Sequence, residues 1–219
     1  LLKLGYLSIP MIGNAILSQM IDLITMLYVG RIDGALYMGA ATLGNMLCNI
    51  SGYSLAFGMC CALDTLISQA YGAKLYSLMG LHAQRSILIL TIFSIPVSII
   101  WACTDKILHH IFFINAETSN LAGVWARYIV FGLWPTLMFQ ILRRYLQSCG
   151  IVWPTIIANI MSTFTVIGGT YTMIYKLHWG FAGAAIGVVL SQWVRFLVLV
   201  IITWSIMFYL RTYEYNSNF

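Results

Sequence analysis

Charged side chains are scarce in this sequence. Of its 219 residues, six are acidic and eleven are basic, so Asp, Glu, Lys and Arg make up only 8% of the chain. Soluble domains average about 25% of these residues, whereas 61% of this chain is hydrophobic. A soluble domain of this length could not bury that much apolar surface, so the composition predicts an integral membrane protein. The net charge of +5 therefore does not indicate nucleic-acid binding.

The motifs of a membrane-embedded enzyme or a metal site are also missing. The sequence has no HExxH, no GxSxG and no cluster of acids within one apolar run, so it favours no enzyme class. The five cysteines include no CxxC pair and mostly lie in apolar runs, where cysteine behaves as a small buried hydrophobe. His109 and His110 are adjacent, so on a helix they could not face one ion. We expect no catalytic residue, no metal and no cofactor.

Long apolar runs, in contrast, are abundant. A helix needs about 20 apolar residues to cross a bilayer. Six such runs occur, near residues 4–29, 36–63, 78–102, 120–142, 153–175 and 181–208. They predict an all-α, polytopic bundle of six transmembrane helices that forms a single lobe over residues 1–219. We expect kinks where proline falls within or near a span, at Pro10, Pro96 and Pro135.

Two shorter features complete the predicted bundle. The segment TDKILHHIFF at 104–113 is typical of a short amphipathic helix in the membrane interface. Gly183 and Gly187 have a GxxxG spacing, which permits close approach of a neighbouring helix. The sixth helix should therefore pack tightly against a partner.

Polar residues concentrate between the second and third runs. At 1.5 Å per residue, Asp64 lies about 40 Å along a helix that begins at Leu36, beyond a hydrocarbon core of about 30 Å. The stretch predicts two polar helix ends joined by a tight turn at Gly72-Ala73. We expect its polar side chains to stabilise the cytoplasmic helix ends, with Arg85, Arg143 or Arg144 as partners; the motif residues are Asp64, Gln69, Gln84 and Arg85.

Four motifs resemble those of the multidrug and toxic compound extrusion (MATE) family in its eukaryotic form. They are ALDTLISQAYGAK at 62–74, QRS at 84–86, RRYLQSCGIVWP at 143–154, and GFAGAAIG followed by SQ at 180–192. The resemblance runs from Pro10 to about Gln192. It implies the N-terminal six-helix lobe of a secondary antiporter that exports organic cations or xenobiotics in exchange for H⁺ or Na⁺.

The resemblance also implies partners and a location. The partners are the lipid bilayer, a small organic cation, the coupling ion, and a second six-helix lobe from the same full-length chain or from a second copy. The expected location is the plasma membrane, or an organelle membrane, of a eukaryote. The chain begins with Leu and shows no cleavable signal peptide, and twelve spans need more than about 400 residues, so we expect a fragment. A half-length membrane scaffold or interaction protein without coupled flux is the alternative.

The first span carries three candidates for substrate or ion coupling. Asp22 and Thr25 share one helical stripe, and Gln19 lies beside them. An ionised, unpaired carboxylate at this depth would cost several kcal/mol, so Asp22 must face the bundle or a hydrated cavity. Prokaryotic relatives have a coupling carboxylate on this helix, which the resemblance places at Thr25, one turn from Asp22. A structural anchoring role for Asp22 stays open.

Three more candidates lie in the second and sixth spans. Asn45 and Asn49 are one turn apart, and the resemblance implies that Asn49 faces the central cavity. Arg195 lies deep in the sixth span, where a basic residue indicates function by default. It either pairs with Asp22 across the bundle or extends toward the inner headgroups.

We predict that both termini lie in the cytoplasm, because the number of spans is even and Lys and Arg favour that side. Six basic residues then lie inside and four outside. In a cysteine-free background, Leu177→Cys should react with an impermeant maleimide added outside, and Lys74→Cys only from inside. Labelling of Leu177→Cys from the cytoplasmic side alone would contradict this topology.

Overall fold

The computed structural model describes residues 2–33 and 35–217, with side chains for 11–32 and 35–206. This described chain is helical, with short connections and no strand. Its helices are α1 (Leu2–Asp33), α2 (Ala35–Cys48), α3 (Ser54–Gly72), α4 (Tyr76–Ala102), α5 (Thr104–His110), α6 (Ala116–Ser148), α7 (Trp153–Tyr171) and α8 (Gly180–Ser217). A π-helical turn at Asn49–Tyr53 joins α2 to α3, and another at Thr172–Lys176 extends α7.

The predicted all-α membrane bundle is confirmed. Within the described residues, five helices are long and apolar enough to cross a bilayer: Met11–Ile32, Ala35–Gly72, Tyr76–Ala102, Ala116–Ser148 and Gly180–Ile206. The fifth predicted span forms α7, which has only 19 residues and buries several polar side chains between α1 and α8. The crossing of the membrane by α7 therefore stays a prediction.

Helix α6 is the centre of the bundle. It packs against α2, α3, α4, α5 and α8. In its most apolar window 61% of the residues are buried, against 22–33% in the other four spans. Its buried side chains include Trp125, Leu133 and Phe139. The other long helices surround α6 and turn much of their apolar surface outward, as expected of helices that contact lipid.

The π-helical turn at Asn49–Tyr53 is the main feature that the apolar pattern did not predict. Trp101 of α4 fills the space beside it: its Nε1 donates to Ser51 Oγ at 3.0 Å, and its ring meets Tyr53 edge-on with centroids 5.1 Å apart. A Cβ at Gly52 would lie 2.6 Å from this ring, so only glycine fits there. Such π-helical turns occur frequently at functional sites. Pro96 and Pro135, where we expected kinks, lie inside helices that continue past them.

Two ion pairs hold α6 at separate levels. A third of the way along the helix, Arg127 Nη2 lies 2.8 Å from Asp105 Oδ2 on α5, the short helix predicted for this segment. Near its end, Arg144 pairs with Asp64 of α3. The two arginines are seventeen positions apart, about 25 Å along a helix. This separation is close to the hydrocarbon thickness of about 30 Å, so both pairs fit the interfaces of a membrane-spanning α6.

The GxxxG spacing of α8 permits the close helix approach that we predicted. A Cβ at Gly187 would lie 2.9 Å from the Cα of Thr170, and one at Gly183 would lie 3.0 Å from the carbonyl oxygen of Met173. Both contacts are to backbone atoms, which cannot rotate away. The absence of side chains at these two positions therefore lets α8 approach α7 and the turn that follows it.

We predict that Gly187→Ala destabilises the protein by about 1–3 kcal/mol, because the new methyl group overpacks against the Thr170 backbone. Gly168→Ala is the matched control, since a Cβ there meets nothing within 4 Å. It should leave stability unchanged or raise it by up to about 1 kcal/mol through helix propensity. Thermal unfolding in detergent measures both variants, and equal melting temperatures would contradict the close contact.

Candidate functional site

A cavity of about 300 Å³ lies between α1, the α2–α3 helix, α6, α7 and α8. Its wall combines a few apolar side chains with many polar ones, although every contributing helix is mainly apolar. The polar residues are Ser18, Asp22, Thr25, Asn45, Asn49, Tyr53, Ser54, Thr136, Gln140, Ser162, Ser191, Gln192 and Arg195. Polar side chains from five helices therefore converge on one space.

Most of the residues that we proposed for substrate or ion coupling line this cavity. Asp22, Asn45, Asn49 and Arg195 are on its wall. Thr25 is also there, but its Oγ1 donates to the Ile21 carbonyl at 2.8 Å, so this donor is already used within α1. Gln19 is not part of the cavity wall, and its side chain is exposed. The reason is geometric, since adjacent helix positions point about 100° apart.

Asp22 and Arg195 share the cavity without forming the ion pair that we considered. Within the described part of the chain, the only salt bridges are Arg127–Asp105 and Arg144–Asp64. The guanidinium of Arg195 instead lies over the ring of Phe139, with Cζ 4.4 Å from the ring centroid. This cation–π contact stabilises the arginine in place. Two opposite charges thus face one cavity, neither neutralised by direct contact with the other.

Several buried polar atoms around the cavity have no hydrogen-bond partner. Twelve such side-chain atoms occur among the described residues, and six belong to the cavity wall: Tyr53 Oη, Trp125 Nε1, Thr136 Oγ1, Gln140 Oε1, Gln192 Oε1 and Arg195 Nε. Each unsatisfied buried group costs about 1–3 kcal/mol, and such groups are few in native proteins. Six of the twelve lie around one cavity, where water or a ligand would complete their hydrogen bonding.

Of these six residues, only Arg195 was among the candidates that we chose from the sequence. Thr136 and Gln140 are one turn apart on α6, and Gln192 and Arg195 are three apart on α8. Polar residues at such spacing inside apolar runs share a helix face, so a systematic search for i, i+3 and i, i+4 pairs would have found both. Trp125 and Tyr53 offered no such signal, because aromatic residues in membrane helices mostly pack or lie near interfaces.

Next to the cavity, buried polar groups are used to join helices. Asn159 Nδ2 of α7 donates to Asn14 Oδ1 of α1 at 2.5 Å, and both residues are fully buried. Ser162 Oγ of α7 donates to the Ser191 carbonyl of α8 at 3.1 Å. These bonds hold α1 and α8 on either side of α7 and so define one wall of the cavity.

The polar motif residues lie toward the end of α3 and in the first part of α4, on either side of a turn. Arg144 is buried, donates to Asp64, and lies over the Phe57 ring with Cζ 5.7 Å from the centroid. The predicted tight turn is present, with Lys74 in the left-handed region at φ 59°. The remaining motif residues, Gln69, Gln84 and Arg85, are exposed. Arg144, not Arg85, is therefore the partner of Asp64.

The motif RRYLQSCGIVWP builds the corner between α6 and α7. Gly150 ends α6 at φ 76°, its N–H donates to the Gln147 carbonyl, and the N–H of Ile151 donates to the Leu146 carbonyl, both at 2.9 Å. Pro154 follows in the first turn of α7. Glycine after a helix and proline at the start of the next are the preferred residues for such a corner.

A bundle of membrane-length helices around a polar cavity has the architecture of a membrane transporter lobe. The chain belongs to the MatE family, whose family model matches residues 10–172. The resemblance to MATE transporters that the four motifs suggested is thereby confirmed.

Curated relatives and solved structures agree with this assignment. The chain is 33% identical over 195 residues to Protein DETOXIFICATION 16 and 32% identical over 197 residues to Protein DETOXIFICATION 17, both from Arabidopsis thaliana. Each match covers 89% of this chain and 40% of the relative. The chain therefore spans about two fifths of the length of these relatives.

The fold is similar to that of solved MATE transporters. The crystal structure of the eukaryotic MATE transporter AtDTX14 superposes with a TM-score of 0.84 at 29% identity, covering 91% of this chain and 44% of that one. A multidrug resistance MATE family transporter of the MOP superfamily in its outward-facing conformation has a TM-score of 0.77 at 22% identity, covering 88% of this chain and 42% of that one. At 22% identity, the similarity to the second structure shows only a shared fold.

We predict that Asp64→Asn lowers the melting temperature in detergent by about 3–6 °C. Hydrogen bonds to charged groups contribute about 1.5–3 kcal/mol, and the half-exposed carboxylate places this pair near the lower limit. Arg144→Gln should have a similar effect, and the double variant should lose less than the sum of the two. Arg85→Gln, an exposed arginine outside the described salt bridges, is the control. Additive losses for Asp64 and Arg144 would contradict a direct pair.

Proposed function

We propose that this chain forms the N-terminal lobe of a secondary antiporter, which exports small organic cations in exchange for H⁺ or Na⁺. The main support is the cavity, whose wall contains Asp22 and six buried polar atoms without hydrogen-bond partners. Ionisable residues inside membrane bundles mark substrate and ion pathways. Membership of the MatE family and the structural similarity to AtDTX14 also support a transport function.

In this proposal Asp22 is the coupling group. One carboxylate can neutralise one positive charge at a time, so a proton or Na⁺ and an organic cation exclude each other there. Binding of the ion on one side of the membrane releases the cation, which gives exchange. The other titratable side chains on the wall are Tyr53 and Arg195. Asn49 and Asn45 supply amides for the substrate on the α2–α3 side.

A second lobe completes the transporter in this proposal. Substrate sites of transporters built from repeats lie between the repeats near the bilayer midplane. The second lobe comes from the same full-length chain or from a second copy. The membrane is the plasma membrane or an organelle membrane of a eukaryotic cell.

A half-length scaffold without flux is the second candidate. One observation favours it: α7 carries no acidic residue between Trp153 and Tyr171, whereas prokaryotic relatives have a second carboxylate on this helix. Uptake of rhodamine 123, a fluorescent organic cation, into proteoliposomes that hold this lobe together with the second lobe separates the two. Uptake driven by an imposed pH or Na⁺ gradient supports antiport. Uptake equal to that of empty liposomes under both gradients supports the scaffold.

We predict that Asp22→Asn abolishes the pH dependence of this uptake and lowers its rate at least about tenfold. The wild-type carboxyl is neutral at low pH and binds cations once it ionises, so its cation binding should rise with pH. The amide is neutral at every pH and should give a flat profile. Initial rates at a series of internal pH values measure this, with Asp64→Asn as the control carboxylate outside the cavity. A wild-type pH profile in Asp22→Asn would exclude Asp22 as the proton site.

A further inference from the structure

A second cavity, separate from the polar one, opens between α3 and α4. It has a volume of about 260 Å³, and we call it the α3–α4 groove. Cys60, Leu63 and Leu90 are buried and form its floor. Leu66 and Ile89 flank its opening and are 43% and 52% exposed. The groove is therefore apolar and open toward the surroundings of the bundle, which suits a hydrocarbon chain.

The groove begins at the level of a membrane interface. Asp64, whose pair with Arg144 fits that interface, lies on α3 between the wall residues Leu63 and Leu66. From Leu66 to Met59, which is also on the wall, α3 runs seven positions, or about 10 Å, away from the α3–α4 turn. The groove therefore extends from the interface into the hydrocarbon layer, where the upper part of an acyl chain lies.

Arg85 lies at the outer end of this groove. It immediately precedes Ser86, a half-buried residue of the wall, and it is one turn before Ile89 on the same stripe of α4. Its side chain is exposed, and it takes part in neither of the two ion pairs of the described residues. A long, unpaired cation thus lies where the polar end of a lipid would be if its chain occupied the groove.

The charge at this end of the α3–α4 hairpin is positive. Lys74, in the turn between the two helices, is exposed like Arg85. Helices α3 and α4 contain one acidic residue, Asp64, whose charge is already matched by Arg144 of α6. The two exposed basic side chains therefore attract an anion at the entrance of the groove.

We propose that the α3–α4 groove binds an anionic phospholipid of the bilayer, with one acyl chain in the groove and the phosphate on Arg85. The hydroxyl of Ser86 lies between these two sites and can donate to an ester carbonyl of the lipid. Under the predicted topology this end of the hairpin faces the cytoplasm, whose membrane leaflet carries anionic lipids. The inference goes beyond the proposed function, because it requires neither a substrate nor flux.

An anionic headgroup fits this entrance better than a zwitterionic one. A guanidinium binds phosphate through two parallel hydrogen bonds, which are strong because both groups are charged. Phosphatidylcholine also has a phosphate, but its positive choline group would lie near Arg85 and Lys74. A lipid with a net negative charge avoids this repulsion, so the site selects by repulsion as well as by attraction. The proposal also gives a function to the exposed arginine of the QRS motif.

Binding of single lipids to the purified, delipidated full-length protein in detergent tests this proposal. Native mass spectrometry resolves each lipid-bound state, and a titration gives the dissociation constant of the first lipid. The probes are dioleoyl phosphatidylserine and dioleoyl phosphatidylcholine, which share their acyl chains and differ in net charge. We expect the wild type to bind phosphatidylserine at least about tenfold more tightly, the effect of one charged hydrogen-bonded contact.

Two variants of Arg85 test the headgroup contact. Arg85→Gln should lower the affinity for phosphatidylserine to that for phosphatidylcholine, and Arg85→Lys should keep part of the difference. Arg31→Gln is the matched control, because Arg31 is an exposed arginine on α1, outside the groove wall, and it should preserve the wild-type difference. Without lipid, these variants should melt at the temperature of the wild type, which shows that they are folded.

A pair of tryptophan variants tests the chain contact. Leu66→Trp should weaken the binding of both lipids about tenfold, the loss expected when about two methylene groups of the chain leave the groove. Leu88→Trp is the control, since Leu88 is 64% exposed and outside the wall, and it should bind both lipids like the wild type.

Three results would overturn the proposal. The first is equal affinity of the wild type for the two lipids, or no retained lipid at all. The second is a preference for phosphatidylserine that persists in Arg85→Gln. The third is unchanged lipid binding in Leu66→Trp, which would locate the lipid outside the groove. These outcomes leave antiport untouched, because the polar cavity is a separate site.

Discussion

Buried polar groups need partners, and in a membrane bundle no bulk water supplies them. Two hydrogen bonds between helices supply such partners at and beside the cavity. Asn14 with Asn159 joins α1 to α7, and Ser162 with Ser191 joins α7 to α8. Six of the twelve buried polar atoms without partners in the described residues lie around one cavity between the same helices. These six atoms mark the candidate site.

The same constraint explains where the charges lie. Each of the two described ion pairs on α6 has one partner that is about half exposed, which lowers the cost of the charges. Asp22 and Arg195 line the cavity instead. Tight packing of α8 against α7 at Gly187 brings Arg195 to that wall. The position of this candidate residue thus depends on a glycine that has no side chain of its own.

Much of this arrangement was predictable from the sequence. The remainder was not, because it depends on contacts between residues that are far apart in the chain. Apolar runs determine helices, and Asp22, Asn49 and Arg195 stand out because polar groups in such runs need an explanation. The Asn14–Asn159 bond joins positions 145 residues apart, which no local pattern reveals. The π-helical turn depends on Trp101 packing beside Gly52, a tertiary effect. The sequence left two positions open for Arg195, and its contact with Phe139 joins α8 to α6 across 56 positions, which no local pattern reveals.

The candidate site requires that water reach the unpaired polar groups from the cavity, although they lie within membrane-length helices. Neighbouring positions on the π-helical turn test it most directly, since Asn49 lines the cavity whereas Ile50 is 63% exposed on a different face. In a cysteine-free background in proteoliposomes, Asn49→Cys should react with a charged, impermeant methanethiosulfonate reagent and Ile50→Cys, facing lipid, should not. An Asn49→Cys variant as unreactive as Ile50→Cys would show that water does not reach this wall of the cavity.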